Sequence, residues 1–148
     1  MSASSFSVQM VDSANGVRFI EPHATFVKFT SRDGDVGVYA GHTPSLIDCA
    51  DGEIELVTSN QTQAFFVQGG LAMIDTDSIV LVADCVESVT DIDVDRAQSS
   101  QDRAVKRLNE SASTTPPLGG LTLDAFRANR ALNRAEMRLS LVKKYRSQ

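Results

Sequence analysis

Three arginines preceded by an aspartate are the strongest chemical feature of this sequence. Asp93, Arg96, Arg103 and Arg107 lie within the stretch TDIDVDRAQSSQDRAVKRL. On a helix, Arg96 and Arg103 would lie two turns apart and within about 20° of each other around the axis. Like charges at such spacing repel mildly, and an anion would relieve this. The pair therefore predicts a weak phosphate site. The alternative is an ordinary first-turn pair between Asp93 and Arg96, with the other arginines in solvent.

A second row of arginines lies near the carboxyl end of the chain. It consists of Arg127, Arg130, Arg134 and Arg138. On a helix this row would span roughly 80° and lie beside an alanine-rich face, not opposite it. Such a row favours an acidic partner. A solvated face, or docking on the acidic first half of the chain, is the alternative.

The first ninety residues are typical of short strands separated by turns. Ser5–Asp12 alternates apolar and polar residues, and Asn15-Gly16 and Asp51-Gly52 are turn signals. The pattern predicts strands at Ser5–Asp12, Val17–Ile20, Ala24–Phe29, Ser45–Ala50, Glu53–Thr58, Ala64–Gln68, Leu71–Ile74 and Ser78–Asp84. The glycine-rich stretch Asp33–Pro44 is predicted to be a loop. Many short strands at this spacing predict an antiparallel sandwich or barrel.

The periodicity changes to that of helices near residue 90. A first helix is predicted from the 3, 4, 3, 4 spacing of Val94, Ala97, Gln101, Ala104 and Leu108. Residues 111–120, SASTTPPLGG, interrupt it with two prolines and two glycines. Thr122 is predicted to cap a second helix that runs to about Tyr145. Two helices with narrow alanine-rich faces predict an antiparallel hairpin, held weakly because alanine buries little area.

Charge and composition exclude several classes of function. Residues 1–90 carry three basic and twelve acidic side chains (net −9), and residues 121–148 carry seven and two (net +5). An acidic body makes nucleic acid a poor partner. The residues MSASSFSVQ lack the features of a signal peptide, so we expect a soluble, cytoplasmic protein. The two cysteines, Cys49 and Cys85, lack metal-ligand spacing, and no catalytic motif occurs, so we expect neither a metal site nor a stand-alone enzyme.

Four segments in order resemble a known family. GDVGVYAGHTP, FVQGGLAMI, VLVADCVES and DIDVDRA resemble the epsilon subunit of bacterial F-type ATP synthases, the counterpart of the mitochondrial delta subunit. The resemblance implies an α+β fold: a β-sandwich of about ten strands over residues 1–90 and a two-helix antiparallel hairpin over residues 91–148. It implies a non-catalytic subunit of the central stalk that couples the catalytic head to the c ring. The mobile hairpin would inhibit ATP hydrolysis.

The resemblance also implies partners and a location. The sandwich would bind the gamma subunit and the ring of c subunits, and the hairpin would reach the catalytic alpha and beta subunits. The protein would then be peripheral to the membrane, on the cytoplasmic face of the bacterial plasma membrane.

The resemblance assigns roles to particular residues. Some members bind ATP through an I/L-D-x-x-R-A motif, which Ile92, Asp93, Arg96 and Ala97 match, while Glu87 and Arg103 match an upstream acid and a further arginine. ATP would be a regulator, with no cofactor required. Asp35 and His42 occupy the places of an acid and a histidine that face the c ring. The row Arg127, Arg130, Arg134 and Arg138 would bind an acidic segment of the catalytic beta subunit.

A protein of another class remains the alternative. A free-standing nucleotide-binding sensor would have the same sandwich and arginine-bearing hairpin but no partner subunit. A stable complex with a long coiled-coil partner, or an exposed apolar patch on the sandwich, would favour the ATP synthase subunit.

Overall fold

The computed structural model describes residues 4–113 and 122–147. The chain divides into two compact units, Met1–Val89 and Thr90–Gln148, which we call the sandwich unit and the helical unit. The strands of the sandwich unit are β1 Phe6–Asp12, β2 Gly16–Ser31, β3 Gly34–Val38, β4 Ser45–Thr58, β5 Thr62–Gln68, β6 Gly70–Ile74, β7 Ser78–Ala83 and β8 Cys85–Ser88.

Two long strands, β2 and β4, take part in both layers of the sandwich. β2 pairs with β1 through residues 16–24 and with β4 through residues 24–31. β4 pairs with β6 through residues 45–49 and with β5 through residues 52–57. The first sheet therefore has the order β2-β1-β7-β6-β4, and the second has the order β3-β2-β4-β5-β8. The structure has eight strands, but β2 and β4 each contribute one segment to each sheet. The two sheets therefore contain ten strand segments. The predicted fold class is confirmed.

The core lies between the two sheets and follows from alternation along the strands. In β1, Phe6, Val8 and Met10 are buried, whereas Ser7 and Gln9 between them are not. Burying one large apolar side chain contributes roughly 1.5–3 kcal/mol. All pairings among the described strands are antiparallel except that of β1 with β7, which is parallel.

Three of the local predictions were wrong, each because pairing between strands outweighs a local signal. The strands predicted to end at Ile20 and to begin at Ala24 are one continuous strand, β2. Pro22 lies at a shift in the register with β1, so its missing N–H removes no hydrogen bond from that pairing. The predicted Asp51-Gly52 turn lies inside β4, where Gly52 is paired with Val67. Part of the predicted loop forms β3, which pairs with β2.

In the described part of the helical unit, two α-helices, each capped at its start by a side chain, follow a 3-10 turn at Val89–Asp91. Helix α1 spans Val94–Ala112, and Asp93 is its cap. Helix α2 spans Leu123–Arg146, and the Thr122 hydroxyl accepts a hydrogen bond from the Ala125 N–H at 3.1 Å. The first helix includes Ser111 and Ala112 of the predicted 111–120 breaker, and residues 114–120 of that breaker lie outside the described residues.

The two helices run antiparallel and pack through small residues. Arg146 at the end of α2 contacts residues that precede α1, and Arg127 near its start lies beside Arg107 near the end of α1. Among the described residues, the buried ones of the helices are the alanines at 97, 104, 125, 128 and 135, together with the larger Leu141. Among the described residues, neither helix combines the length and hydrophobicity that crossing a bilayer requires.

One buried carboxylate ties together distant parts of the sandwich. Asp12 accepts hydrogen bonds from the N–H groups of Ala14 at 2.9 Å, Asn15 at 3.1 Å and Val86 at 3.2 Å. Burial alone would raise its pKa, but these hydrogen bonds and one from the Asn15 amide outweigh it, so the pKa of Asp12 lies below its ordinary value. The carboxylate form therefore stabilises the sandwich.

We expect Asp12→Asn to lower the free energy of unfolding at neutral pH by roughly 1–3 kcal/mol, because the Val86 N–H would face an amide instead of a carboxylate. The pKa of Asp12 is lower in the folded chain than in the unfolded chain. Its stabilisation is therefore present above the ordinary value near pH 4 and is lost as the pH falls below it. Urea unfolding from pH 7 to pH 3 should show the difference between the two proteins shrinking. Asp84→Asn, at an exposed site between β7 and β8, is the control. An equal loss in the control, or a loss unchanged with pH, would contradict the assignment.

Candidate functional site

Asp93 caps the helix that carries the first arginine row. Its carboxylate accepts a hydrogen bond from the backbone N–H of Arg96 at 3.0 Å, while the Asp93 carbonyl accepts the N–H of Ala97 at 3.0 Å. The sequence pair Asp93 and Arg96 therefore meets, but through the backbone of Arg96 and not through its guanidinium group. An aspartate at this position stabilises a helix by about 1 kcal/mol.

The guanidinium groups of the first row lie on the exposed surface of α1. Arg96, Arg103 and Arg107 are exposed, whereas Ile92 and Ala97 of the same motif are buried. Arg103 donates to the Ser99 carbonyl and the Ser100 hydroxyl, each at 3.3 Å. These long, local hydrogen bonds hold the side chain along its own helix, and an anion could displace them.

Glu87, the upstream acid of the predicted ATP site, lies in β8. It is half-buried and is paired with Phe66 of β5. It belongs to the sandwich unit, whereas Ile92, Asp93, Arg96, Ala97 and Arg103 belong to the helical unit.

The predicted partner-binding loop is part strand and part tight turn. Asp35 lies in β3, where its carboxylate accepts the Thr30 hydroxyl at 3.1 Å. His42 follows Gly41, whose positive φ of 82° favours glycine and whose N–H donates to the Thr76 carbonyl at 2.7 Å. The His42 ring nitrogen Nδ1 lies 2.7 Å from the Thr43 carbonyl oxygen. The loop is thus fixed to the turn between β6 and β7, with Asp35 exposed and His42 half-exposed.

The second arginine row follows one side of α2 and becomes less exposed toward its end. Arg127 and Arg130 are exposed, whereas Arg134 and Arg138 are half-buried. Arg127 shares a shallow depression with Arg107 and the acids Glu110 and Asp124. The first two arginines of the row are therefore the ones best placed to meet a partner.

The outer side of the first sheet carries an apolar surface that sequence reasoning missed. Cross-strand pairs place Ile20 beside Gln9, Gln9 beside Val80, Val80 beside Met73 and Met73 beside Leu46, one residue from each of the five strands. A second row runs beside the first, in which the pairs join Val17, Val11, Val82, Leu71 and Asp48. We call the eight apolar residues of these two rows the apolar outer face.

Four residues of the apolar outer face are exposed, and the other four are half-buried. Ile20 is 61% exposed, Leu46 66%, Val17 52% and Met73 42%. At about 4.8 Å between strands, five strands extend roughly 19 Å. The signal in the sequence was the run Ile79–Ala83, which is apolar at every position although only alternate residues can face one core.

The titratable side chains offer little chemistry beyond these surfaces. Within residues 4–113 and 122–147, no group of three His, Cys, Asp or Glu side chains is placed to hold a metal ion. Cys49 is buried. Its burial, and to a smaller extent the negative charge of Asp48, raises the pKa of its thiol to about 11. Cys49 is therefore a protonated thiol at neutral pH.

Family models cover almost the whole described chain. The model described as "ATP synthase, Delta/Epsilon chain, beta-sandwich domain" matches residues 5–89, and the one described as "long alpha-helix domain" of the same chain matches residues 90–143. The chain belongs to the ATP synthase delta/epsilon family. The resemblance read from the four sequence segments is confirmed.

Individual relatives agree with this family. The ATP synthase epsilon chain of Ruminiclostridium cellulolyticum is 31% identical over 129 residues, which is 87% of this chain and 90% of the relative. That of Bacillus pumilus is 30% identical over 118 residues, 80% of this chain and 83% of the relative.

Solved structures show that the fold is shared at low sequence identity. A chain of the Euglena gracilis mitochondrial ATP synthase (OSCP/F1/c-ring) superposes with a TM-score of 0.70 and 17% identity, covering 92% of this chain and 79% of that one. A chain of the Tetrahymena thermophila mitochondrial ATP synthase (central stalk/c-ring) gives a TM-score of 0.55 at 9% identity, covering 96% and 99%.

Proposed function

We propose that this family member works as the epsilon subunit of the central stalk, a non-catalytic part of the rotor. The sandwich unit would bind the gamma subunit and the c ring, and the helical unit would regulate ATP hydrolysis. The subunit would be peripheral to the membrane, on the cytoplasmic face of a bacterial plasma membrane. The observation that carries the proposal is the apolar outer face. Support also comes from the related structures, which belong to stalk and c-ring assemblies.

The apolar outer face fits a long helix of the gamma subunit. Contiguous exposed apolar patches on soluble domains mark interaction sites. The face is roughly 19 Å across at ordinary strand spacing, wide enough for a helix of about 10 Å diameter or a helical pair. A free-standing sensor has no use for such a surface, so the face favours the rotor subunit over that rival.

The loop at Asp35 and His42 is the proposed contact with the c ring. Its backbone is held by the Gly41–Thr76 hydrogen bond, and Asp35 is exposed. An acid on the edge strand β3 and a histidine on the turn that follows it suit polar groups on the c subunits.

We expect Leu46→Glu and Met73→Glu each to weaken the complex with the gamma subunit by tenfold or more, because each would bury a charge in the interface. Leu46 is 66% and Met73 42% exposed, and neither belongs to the core, so the melting temperature of the isolated chain should change little. Co-purification and titration with purified gamma subunit measure the effect.

Val105→Glu is the matched control, since Val105 is 41% exposed but lies on α1. If Leu46→Glu and Met73→Glu bind as tightly as the unaltered chain, the assignment of the face fails. If the unaltered chain itself forms no complex with gamma, the free-standing sensor gains support.

The proposed inhibitory element is α2, through its arginine row. Guanidinium groups bind carboxylates with paired hydrogen bonds, and Arg127 and Arg130 are exposed on the first turns of the helix. An acidic segment of the catalytic beta subunit would be their partner, with Arg134 and Arg138 extending the row.

We expect the double variant Arg127→Gln, Arg130→Gln to raise the ATP hydrolysis rate of the assembled enzyme several-fold, because the helix would lose two charge-assisted contacts of about 1.5–3 kcal/mol each. The double variant Lys143→Gln, Lys144→Gln removes the same charge from the same helix and should leave the rate nearly unchanged. A rate that does not respond to the arginine changes, or that responds equally to the lysine changes, would remove the inhibitory contact.

A regulatory ATP bound at α1 is the remaining part of the proposal. It is supported by the motif and by the exposure of Arg96 and Arg103, seven residues apart on one helix. Arg103 would exchange two 3.3 Å hydrogen bonds to its own helix for a phosphate. Asp93 would keep its role as helix cap and so would fix the orientation of the first turn.

Calorimetric titration of ATP should give heat with the unaltered chain and at least tenfold weaker binding with Arg103→Ala, given the strength of hydrogen bonds to charged groups. Lys106→Ala, an exposed cation elsewhere on α1, is the control. Equal binding by all three chains, or none by any of them, would rule out this site.

A further inference from the structure

Arg146 joins the two ends of the helical unit. Its guanidinium nitrogen Nη2 donates to the Thr90 carbonyl at 2.8 Å and to the Ile92 carbonyl at 2.7 Å. Arg146 is the last residue of α2, while Thr90 and Ile92 precede α1. One side chain thus joins residues of the same unit that are 54 and 56 positions apart in the sequence.

The two carbonyls lie just outside the hydrogen-bond ladder of α1. The ladder begins at the next residue, where the Asp93 carbonyl accepts the Ala97 N–H. The carbonyls of Thr90 and Ile92 therefore come before the first carbonyl of that ladder. An arginine suits them because one Nη2 carries two protons in a fixed plane and can donate to both.

The rest of the hairpin is held unevenly. At the far end, Leu123 and Phe126 on the first turn of α2 are 63% and 52% exposed. Five of the six buried residues of the described helices are alanines, and each contributes little by packing because alanine buries little area. The hydrogen bonds of Arg146 therefore add a directed contact at the opposite end of the hairpin.

We propose that Arg146 is a latch whose two hydrogen bonds hold the end of α2 on the start of α1 and set the equilibrium between the closed and the open hairpin. The latch is a property of the chain alone and does not depend on the proposed partners. Opening of the hairpin from this end breaks both hydrogen bonds together, so loss of the latch exposes the last turn of α2 and the first turn of α1 at once.

Amide hydrogen exchange on the isolated full-length chain tests the latch. In Arg146→Gln we expect amides of the last turn of α2, together with the Ala97 amide of α1, to exchange about tenfold faster, the effect of losing about 1.4 kcal/mol. Arg146→Lys, which keeps the charge but not the planar fork, should fall between the two. Amides of the sandwich core, such as that of Ile54, should be unchanged and report that the chain remains folded.

Lys143→Gln is the matched control, since it removes one positive charge from the same last turn. If exchange accelerates only in α2 and not at Ala97, the arginine merely limits fraying and the latch is wrong. An equal effect of Lys143→Gln would assign the stabilisation to the helix dipole, and an unchanged rate in Arg146→Gln would also overturn the proposal. None of these outcomes involves the gamma subunit or ATP, so they are distinct from failure of the proposed function.

Discussion

The pairing of β2 with β4 is the constraint on which the sandwich depends. Residues 24–31 of one strand lie against residues 49–58 of the other, and the remaining half of each strand belongs to the opposite sheet. The two sheets are therefore continuous through their longest strands and cannot slide past each other. Because the sheets are held face to face, one side of each strand packs in the core. The outer side of the first sheet is left free to carry apolar residues that the fold itself does not need.

The two units are stabilised by different means, and this suits different tasks. The sandwich buries large side chains such as Phe29, Met10 and Ile54 almost completely, so its geometry is costly to change. The buried residues of the described helices are mostly alanines, so each contributes less to packing than the large side chains of the sandwich. This division of stability suits the proposed function, in which the sandwich is the rigid binding body and the hairpin is the part that changes state.

Sequence reasoning succeeded where the cause is local and failed where it is distant. The alternation of Phe6, Val8 and Met10 and the cap at Thr122 depend on neighbouring residues, and both appear in the structure. Asp51-Gly52 has strong turn chemistry, but pairing with β5 holds it in a strand. The apolar outer face could not be assembled without knowing that β1 lies between β2 and β7. Of the candidate site, the cap at Asp93 was within reach of local reasoning, whereas the contact of Arg146 with Ile92 was not.

Arginine is used in two ways in the helical unit, and the difference bears on regulation. Arg103 and Arg146 donate to carbonyls of their own unit, while Arg127 and Arg130 project from the surface. A guanidinium group keeps its charge at any physiological pH, so opening the hairpin cannot discharge Arg146 but only release it. A released Arg146 would keep its charge and lose only its two hydrogen bonds to Thr90 and Ile92. The closed hairpin would therefore depend on where this guanidinium group is held, whereas contact with an acidic partner would depend on the exposed Arg127 and Arg130.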